Sequence, residues 1–115
     1  MLQRWLGAPK LGKPRRQRPQ RIARYFDCTW VTAWGEERAR VSSLSLTGCY
    51  IESRFSVPPD GEPVQDLTIA LPTESVTLQG TVVNATSGVG FAVSFVDIDT
   101  KTRERLSALI HIARR

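Results

Sequence analysis

The 115-residue sequence has few of the side chains that build disulfide frameworks, metal centres or catalytic sets. It contains two cysteines, Cys28 and Cys49, and a single histidine, His111. Two cysteines cannot form a disulfide framework or a four-ligand zinc site, and a lone histidine is a poor basis for a metal site. A Cys–His catalytic pair also needs a third group to orient the imidazole, and none is apparent. The sequence therefore predicts a protein that is not an enzyme and holds no metal or cofactor.

Long apolar runs are also absent. Residues 1–9 contain no continuous apolar core of signal-peptide length, so we predict a cytoplasmic protein. Residues 75–96 carry no charge over a length that could span a bilayer. However, their apolar side chains alternate with polar ones, and this alternation is typical of a strand. No membrane insertion is expected.

Acidic residues are missing from residues 1–24, which hold eight basic side chains. The rest of the chain holds eight basic and eleven acidic side chains, so the formal charge of +5 combines a +8 segment with a −3 remainder. Residues 1–20 contain three prolines and two glycines without sustained periodicity. We therefore predict a basic, flexible N-terminal arm over residues 1–20 and a domain over residues 21–115. Four apolar arm residues could still dock on a surface, namely Leu2, Trp5, Leu6 and Leu11.

From Tyr25 onward, apolar residues recur at every second position, which predicts β-strands. Segments rich in glycine, proline, serine or threonine separate the strands, including a turn at residues 35–37 after the first one. Short strands at this spacing are typical of a small sandwich or barrel. The first predicted strand begins near residue 25, the second and third cover residues 38–46 and 49–53, and the others centre on residues 67–71, 76–82 and 89–95.

The C-terminal residues change to a helical pattern. Asp99 and Thr100 are good capping residues, and an apolar stripe at i, i+3, i+4 and i+7 follows them. The stripe predicts a helix that closes one end or side of the barrel. It could alternatively form a dimer seam, so the sequence leaves open a monomer or a homodimer. The members of the stripe are Leu106, Leu109, Ile110 and Ala113.

Two features of the chain suggest a ligand. The first is an arginine cluster just before the first strand, because arginine makes bidentate phosphate contacts and stacks on bases. The alternative is a solvated basic tail. The cluster consists of Arg15, Arg16, Arg18, Arg21 and Arg24.

The second feature is the segment at residues 43–48. Strand alternation predicts that Ser43 and Ser45 point the same way, and Gly48 permits a sharp or positive-φ backbone after them. Two hydroxyls and exposed backbone amides would then converge at a strand end. The alternative is an ordinary serine-rich hairpin.

Together, in this order and spacing, the two features resemble the PilZ domain family. Residues 43–51 (SLSLTGCYI) resemble the family's signature segment, and the loop at residues 59–61 and the segment at residues 88–95 (GVGFAVSF) are also similar. The resemblance extends over residues 15–112. It implies a six-stranded antiparallel β-barrel of the split-barrel type with a C-terminal α-helix. It also implies binding of cyclic di-GMP, a bacterial second messenger, often as an intercalated pair of molecules.

The family's first motif is a pair of arginines four residues apart before the first strand. Arg21 resembles the second arginine, whereas Gln17 stands at the position of the first. Arg16 and Arg18 flank Gln17, and a shift of one residue in a flexible arm would restore the pair. The resemblance implies that Arg21, with Arg16 or Arg18, holds the phosphates and stacks on guanine.

The family's second motif is Asp or Asn, any residue, Ser, any two residues and Gly. Ser45 and Gly48 match it, and Ser43 replaces the residue that meets the guanine edge. Losing one charge-assisted hydrogen bond of this kind costs on the order of 1.5–3 kcal/mol, or about ten- to a hundredfold in affinity. The resemblance implies that Ser43 and Ser45 hydrogen-bond the base edge and a phosphate. Gly48 would let the ligand approach the backbone.

The favoured hypothesis is a cyclic di-GMP receptor whose arm changes conformation and regulates a protein partner in motility, biofilm formation or exopolysaccharide export. The substituted motif positions Gln17 and Ser43 motivate a second hypothesis, a degenerate PilZ-like domain that binds no nucleotide and acts through protein contacts. A third is single-stranded nucleic-acid binding through the arm and Trp30 or Trp34. The −3 charge of the barrel argues against DNA or RNA as a partner.

Overall fold

The structure is a computed structural model, and it describes residues 24–113. This part of the chain forms six β-strands followed by one α-helix. The predicted arm over residues 1–20, and the domain boundary at residue 21, lie outside the described residues. The elements are β1 (Phe26–Thr32), β2 (Gly35–Leu44), β3 (Gly48–Glu52), β4 (Pro63–Ala70), β5 (Ser75–Thr86), β6 (Gly90–Val96) and α1 (Thr100–Ala113).

The six strands form one closed antiparallel barrel in the order β1-β2-β3-β6-β5-β4. The ring closes through β1 and β4, where Cys28 pairs with Ile69 and Val31 pairs with Gln65. This architecture confirms the predicted six-stranded antiparallel barrel with a C-terminal helix. Because every strand has two neighbours, the barrel has no unpaired sheet edge.

The core lies inside the barrel and under α1. Alternate residues of each strand point inward, as the period-two pattern predicts. Trp30 is 2% exposed and meets Phe91 edge to face, with ring centres 5.4 Å apart. The four residues of the predicted helical stripe are buried in the same apolar cluster as the inward-facing strand residues. The stripe therefore closes the barrel of its own chain, and it is not exposed as a dimer seam.

The first turn differs from the prediction. It lies at Ala33 and Trp34, and β2 already begins at Gly35, whose φ is +126°. The Thr32 hydroxyl donates to the carbonyl of Gly35 at 2.9 Å and accepts a hydrogen bond from the Trp34 amide at 3.1 Å. A threonine side chain thus shapes this turn. The glycine that suggested a turn at residues 35–37 instead provides the unusual φ at the start of the next strand.

The antiparallel order divides the connections between two ends of the barrel. We call one the arm end, because β1 starts there. It also carries the turns at residues 45–47 and 71–74 and the connection to α1. The other, the hairpin end, carries the turn at residues 33–34, the loop at residues 53–62 and the turn at residues 87–89. The Nε atom of Arg105 donates to Glu74 at 2.9 Å, which ties α1 to the arm end.

Candidate ligand-binding site at the arm end

The turn between β2 and β3 is held together by Ser45. Its amide donates to the carbonyl of Gly48 at 2.9 Å. Its hydroxyl donates to the same carbonyl and accepts a hydrogen bond from the Thr47 amide, both at 3.3 Å. The residue is 1% exposed. Ser45 therefore stabilises the shape of this turn, and its hydroxyl faces the turn itself.

Gly48 allows β3 and β6 to approach each other closely. A Cβ atom at this position would lie 2.3 Å from the carbonyl oxygen of Val93, far inside van der Waals contact. The residue is buried, and it pairs with Ser94 across the two strands. Of the sharp or positive-φ backbone predicted here, the positive-φ alternative is wrong, because the φ of Gly48 lies outside the left-handed region. The requirement for glycine is steric and comes from the opposite strand.

Ser43 lies near the end of β2, half-buried, and pairs with Tyr50 of β3. The register of this pair shifts between Val41 and Ser43, so β2 contains an extra residue there. Such a bulge re-aims the side chains that follow it. Because β2 ends at Leu44 rather than at the predicted residue 46, strand alternation does not extend to Ser45. The structure thus places Ser43 on a strand and Ser45 in the adjacent turn.

The predicted phosphate-binding residues Arg16, Arg18 and Arg21 lie outside the described residues. The described chain begins at Arg24, whose Nη1 donates to the carbonyl of Ala113 at 2.9 Å. Its guanidinium carbon also lies 5.4 Å from the centre of the Phe26 ring. Arg24 therefore joins the start of β1 to the end of α1. The sequence could not reveal this contact, because the two residues are 89 positions apart.

The point where the arm joins the barrel lies at the same end as the turn at residues 45–47. Phe26 opens β1 opposite Val41, only three positions before the end of β2. The chain entering β1 therefore passes close to the end of β2 that carries Ser43. The barrel therefore places the start of β1, which follows the arginine-rich segment in the sequence, at the same end as the serine-glycine segment.

Sequence reasoning missed an aromatic-cationic pair beside this junction. The guanidinium carbon of Arg40 lies 4.4 Å from the centre of the Tyr25 ring, within the range of a cation–π interaction. Arg40 also faces Glu52, with Nη2 and Oε1 3.8 Å apart. Tyr25 remains 59% exposed. The alternation of polar and apolar residues in β2 was enough to predict that Arg40 lies on the outer face. Its contact with Tyr25 could not be predicted, because it depends on how β1 and β2 pair in the barrel.

The structure places both cysteines, Cys28 and Cys49, in buried positions. Burial raises the pKa of the Cys28 thiol to about 12, so this cysteine stays protonated and unreactive near neutral pH. Between residues 24 and 113 there is no group of three or more His, Cys, Asp or Glu side chains placed to hold a metal ion. Over the same residues, no helix is long and apolar enough to cross a membrane.

Comparison with known proteins identifies the family. The profile of the PilZ domain matches residues 14–111, which is most of the chain. The chain therefore belongs to the PilZ domain family. No curated protein sequence matches it.

Solved structures share the fold. The PilZ domain of YcgR from Escherichia coli, solved with c-di-GMP, has a TM-score of 0.75 at 15% identity, over 87% of this chain and 92% of that chain. MrkH from K. pneumonia has a TM-score of 0.73 at 15% identity, over 87% of this chain and 50% of that chain. The Bacillus subtilis inhibitor of motility, MotI/DgrA, has a TM-score of 0.67 at 19% identity, over 87% and 50%. The chain thus spans about half the length of MrkH and MotI.

Proposed function

We propose that this PilZ domain is a receptor for cyclic di-GMP and that the ligand binds at the arm end of the barrel. The observation that carries the proposal is topological. The arginine-rich segment joins β1 at the end of the barrel where Ser43 and the turn at residues 45–47 lie. A dianionic cyclic dinucleotide requires a few arginines beside a small polar surface rather than a long basic groove. Membership of the PilZ family and the YcgR structure with c-di-GMP support this reading.

The candidate residues have different roles in this proposal. Arg21, together with Arg16 or Arg18, binds the phosphates and stacks on guanine. Ser43 hydrogen-bonds a base edge from its position on β2. The hydrogen bonds of Ser45 inside its own turn support a role in shaping the site, and direct contact of Ser45 with the ligand stays a prediction.

Gly48 contributes to the proposed site because it has no Cβ atom. The close approach of Val93 shows that the gap beside Gly48 is filled by β6. We therefore assign Gly48 to holding β3 against β6 beneath the turn. Its role in letting the ligand approach the backbone stays a prediction.

The contact between Arg24 and Ala113 supports a route from the ligand to a protein partner. Arg24 lies three residues after Arg21 and holds the last carbonyl of α1. In the proposed mechanism, binding orders the arm against the barrel, and Arg24 couples the new arm position to the end of the helix. The ligand stabilises this arrangement because it binds the ordered arm more tightly than the free one. A protein partner in motility, biofilm formation or exopolysaccharide export would bind the resulting surface.

A second function is favoured by Gln17 and Ser43, which depart from the family motifs. In this alternative the domain binds no nucleotide and acts through protein contacts alone. Single-stranded nucleic-acid binding is less favoured. Trp30 is 2% exposed and cannot stack on a base, which leaves Trp34 as the remaining candidate of the two tryptophans.

Calorimetric titration of the full chain with cyclic di-GMP at low salt tests the proposal. We expect binding by the unmodified chain and a loss of binding in Arg21→Ala. The matched control is Arg54→Ala, because Arg54 is exposed at the hairpin end and its removal changes the net charge equally. The double variant Gln17→Arg/Ser43→Asp should bind about ten- to a hundredfold more tightly than the unmodified chain, since it restores a charge-assisted contact.

The outcomes separate the alternatives. Binding that disappears in Arg21→Ala but persists in Arg54→Ala supports the receptor. Binding by the double variant but not by the unmodified chain shows that the barrel can hold the nucleotide and that the native residues at positions 17 and 43 prevent binding. This result supports the second function. If neither chain releases heat or gains thermal stability at high micromolar ligand, the receptor proposal is wrong. Filter binding to single-stranded DNA that stays strong near 0.5 M salt would favour the third reading, because phosphate attraction alone falls steeply with salt.

A further inference from the structure

The hairpin end of the barrel exposes two large aromatic side chains. Trp34, in the turn after β1, is 94% exposed, and Phe55, in the loop after β3, is 96% exposed. We call them the aromatic pair. Exposed aromatic side chains that converge on one surface mark binding sites more often than isolated apolar residues do. Nothing in the proposed cyclic di-GMP site uses this surface.

A cavity of about 290 Å³ lies between the two residues of the aromatic pair. Trp30, Val57 and Pro58 contribute apolar walls, and Glu37 and Glu62 add carboxylates. Pockets for drug-sized ligands have volumes of about 300–1,000 Å³. The volume of this cavity lies just below that range, and it suits one or two side chains of a chain segment. The Ser56 hydroxyl donates to Oε1 of Glu37 at 2.7 Å, which holds that carboxylate at the cavity wall.

The charge around the cavity selects a cationic occupant. Besides the two wall carboxylates, Glu36 and Asp60 are exposed on the same turn and loop. Among residues 33–37 and 53–62, Arg54 is the single basic side chain. The local charge is therefore negative, which repels a nucleic-acid backbone and attracts lysine and arginine side chains.

We propose that residues 1–14 of the same chain dock on the aromatic pair and its cavity. This segment contains no acidic residue, carries Lys10 and Lys13, and has the apolar side chains Trp5 and Leu6 for the cavity. Its charge and its apolar residues thus complement those of the hairpin end. A folded second copy fits less well, because stable interfaces bury about 800 Å² per partner, far more than two side chains can supply.

The chain is long enough for this docking. β1 has seven residues, so the arm end and the hairpin end are about 20–25 Å apart at a rise of about 3.3 Å per residue. The ten steps between Arg24 and Pro14 span at most about 33–36 Å when fully extended. Residues 1–14 can therefore reach the aromatic pair from the start of β1. The docking does not depend on cyclic di-GMP, so the two proposals can fail separately.

A spin label on the full chain tests the docking in the absence of nucleotide. Cys28 and Cys49 are 3% and 2% exposed, so a thiol-reactive label will select a new cysteine in Ala8→Cys. We expect selective paramagnetic broadening of the Trp34 indole N–H and the Phe55 amide in the NMR spectrum. Substitution of Trp5 and Leu6 by alanine in the labelled chain should abolish this broadening. Trp5 and Leu6 precede residue 24 in the sequence, so the substitution changes no residue of the described barrel.

Three further samples complete the test. Trp34→Ala should abolish the broadening at Phe55, whereas Val83→Ala, at another exposed apolar residue, should leave it unchanged. An isotope-labelled chain mixed with an unlabelled spin-labelled chain reports docking between copies. The proposal is overturned if the aromatic pair shows no broadening, if the broadening survives the change at Trp5 and Leu6, or if it occurs mainly between copies.

Discussion

Gly48→Ala should destabilise the domain in the absence of any ligand. The added methyl group would lie 2.3 Å from the Val93 carbonyl oxygen, where ordinary contacts begin near 3.4 Å. The obstacle is backbone that is itself held in the β3–β6 ladder, where Cys49 pairs with Val93 and Gly48 pairs with Ser94. Relief therefore requires the two strands to separate by about 1 Å, since no side chain can rotate away.

The loss in the free energy of unfolding can be estimated from this clash. Overpacking a well-filled site costs about 1–3 kcal/mol, and a backbone obstacle places Gly48→Ala near the top of that range. The lower conformational entropy of alanine in the unfolded chain offsets about 0.4–1 kcal/mol. We expect a net loss of about 2 kcal/mol, equivalent to a fall in Tm of about 8–16 °C for a domain of this size.

The assay is urea and thermal unfolding of the full chain without nucleotide, followed by circular dichroism. Gly88→Ala is the matched control, because Gly88 has a φ of +78° and no atom beyond its two chain neighbours lies within 4 Å of the position that an added methyl group would take. Its cost is backbone strain of about 1–2 kcal/mol with the same entropic offset. The steric explanation is refuted if Gly48→Ala is no less stable than Gly88→Ala. In that case ligand binding, and not packing against β6, would explain why position 48 is a glycine.

Three further predictions concern the arm end and the core. Ser45→Ala should lower the free energy of unfolding by about 1–2 kcal/mol, because the buried turn loses the hydroxyl that bridges it; urea unfolding that is unchanged would contradict this. Arg24→Gln should cost about 0.5–1.5 kcal/mol and speed hydrogen exchange at the end of α1, since the carbonyl of Ala113 loses its donor. Because burial raises the Cys28 pKa from 9.0 to about 12, the free energy of unfolding should be unaffected by this thiol below pH 9 and decline as pH rises toward 12. Cys28→Ala should remove that component of the pH dependence.

The fold was predictable because its signals are local. Period-two alternation specified the strands, and the i, i+3, i+4, i+7 stripe specified α1, whose Leu106 and Leu109 are buried in the core. The errors arose where a side chain rather than a glycine decides a turn. Thr32 forms the first turn before Gly35, and the backbone and hydroxyl of Ser45 end β2 two residues earlier than alternation suggests.

The site was less predictable, because its contacts join residues that are distant in the sequence. The motif singled out Ser43 and Gly48, and the structure places them at the end of β2 and the start of β3. The motif could not show that Gly48 faces a carbonyl of β6, or that Arg24 binds the last carbonyl of the helix. Arg40 likewise contacts Tyr25 only because β1 and β2 pair in this register. Such contacts depend on the closed barrel as a whole.

The hydrogen bond between Arg24 and Ala113 also makes the domain easy to build into larger proteins. It links the side chain of the first described residue to the carbonyl of the last, so the two ends of the described chain lie within reach of one arginine side chain. Domains with adjacent ends tolerate insertion into loops of other proteins and circular permutation. A permuted chain with a short linker between these ends and a new opening at the turn at residues 87–89 should keep the barrel. The new ends of such a chain would lie at the hairpin end, where a reporter could be fused.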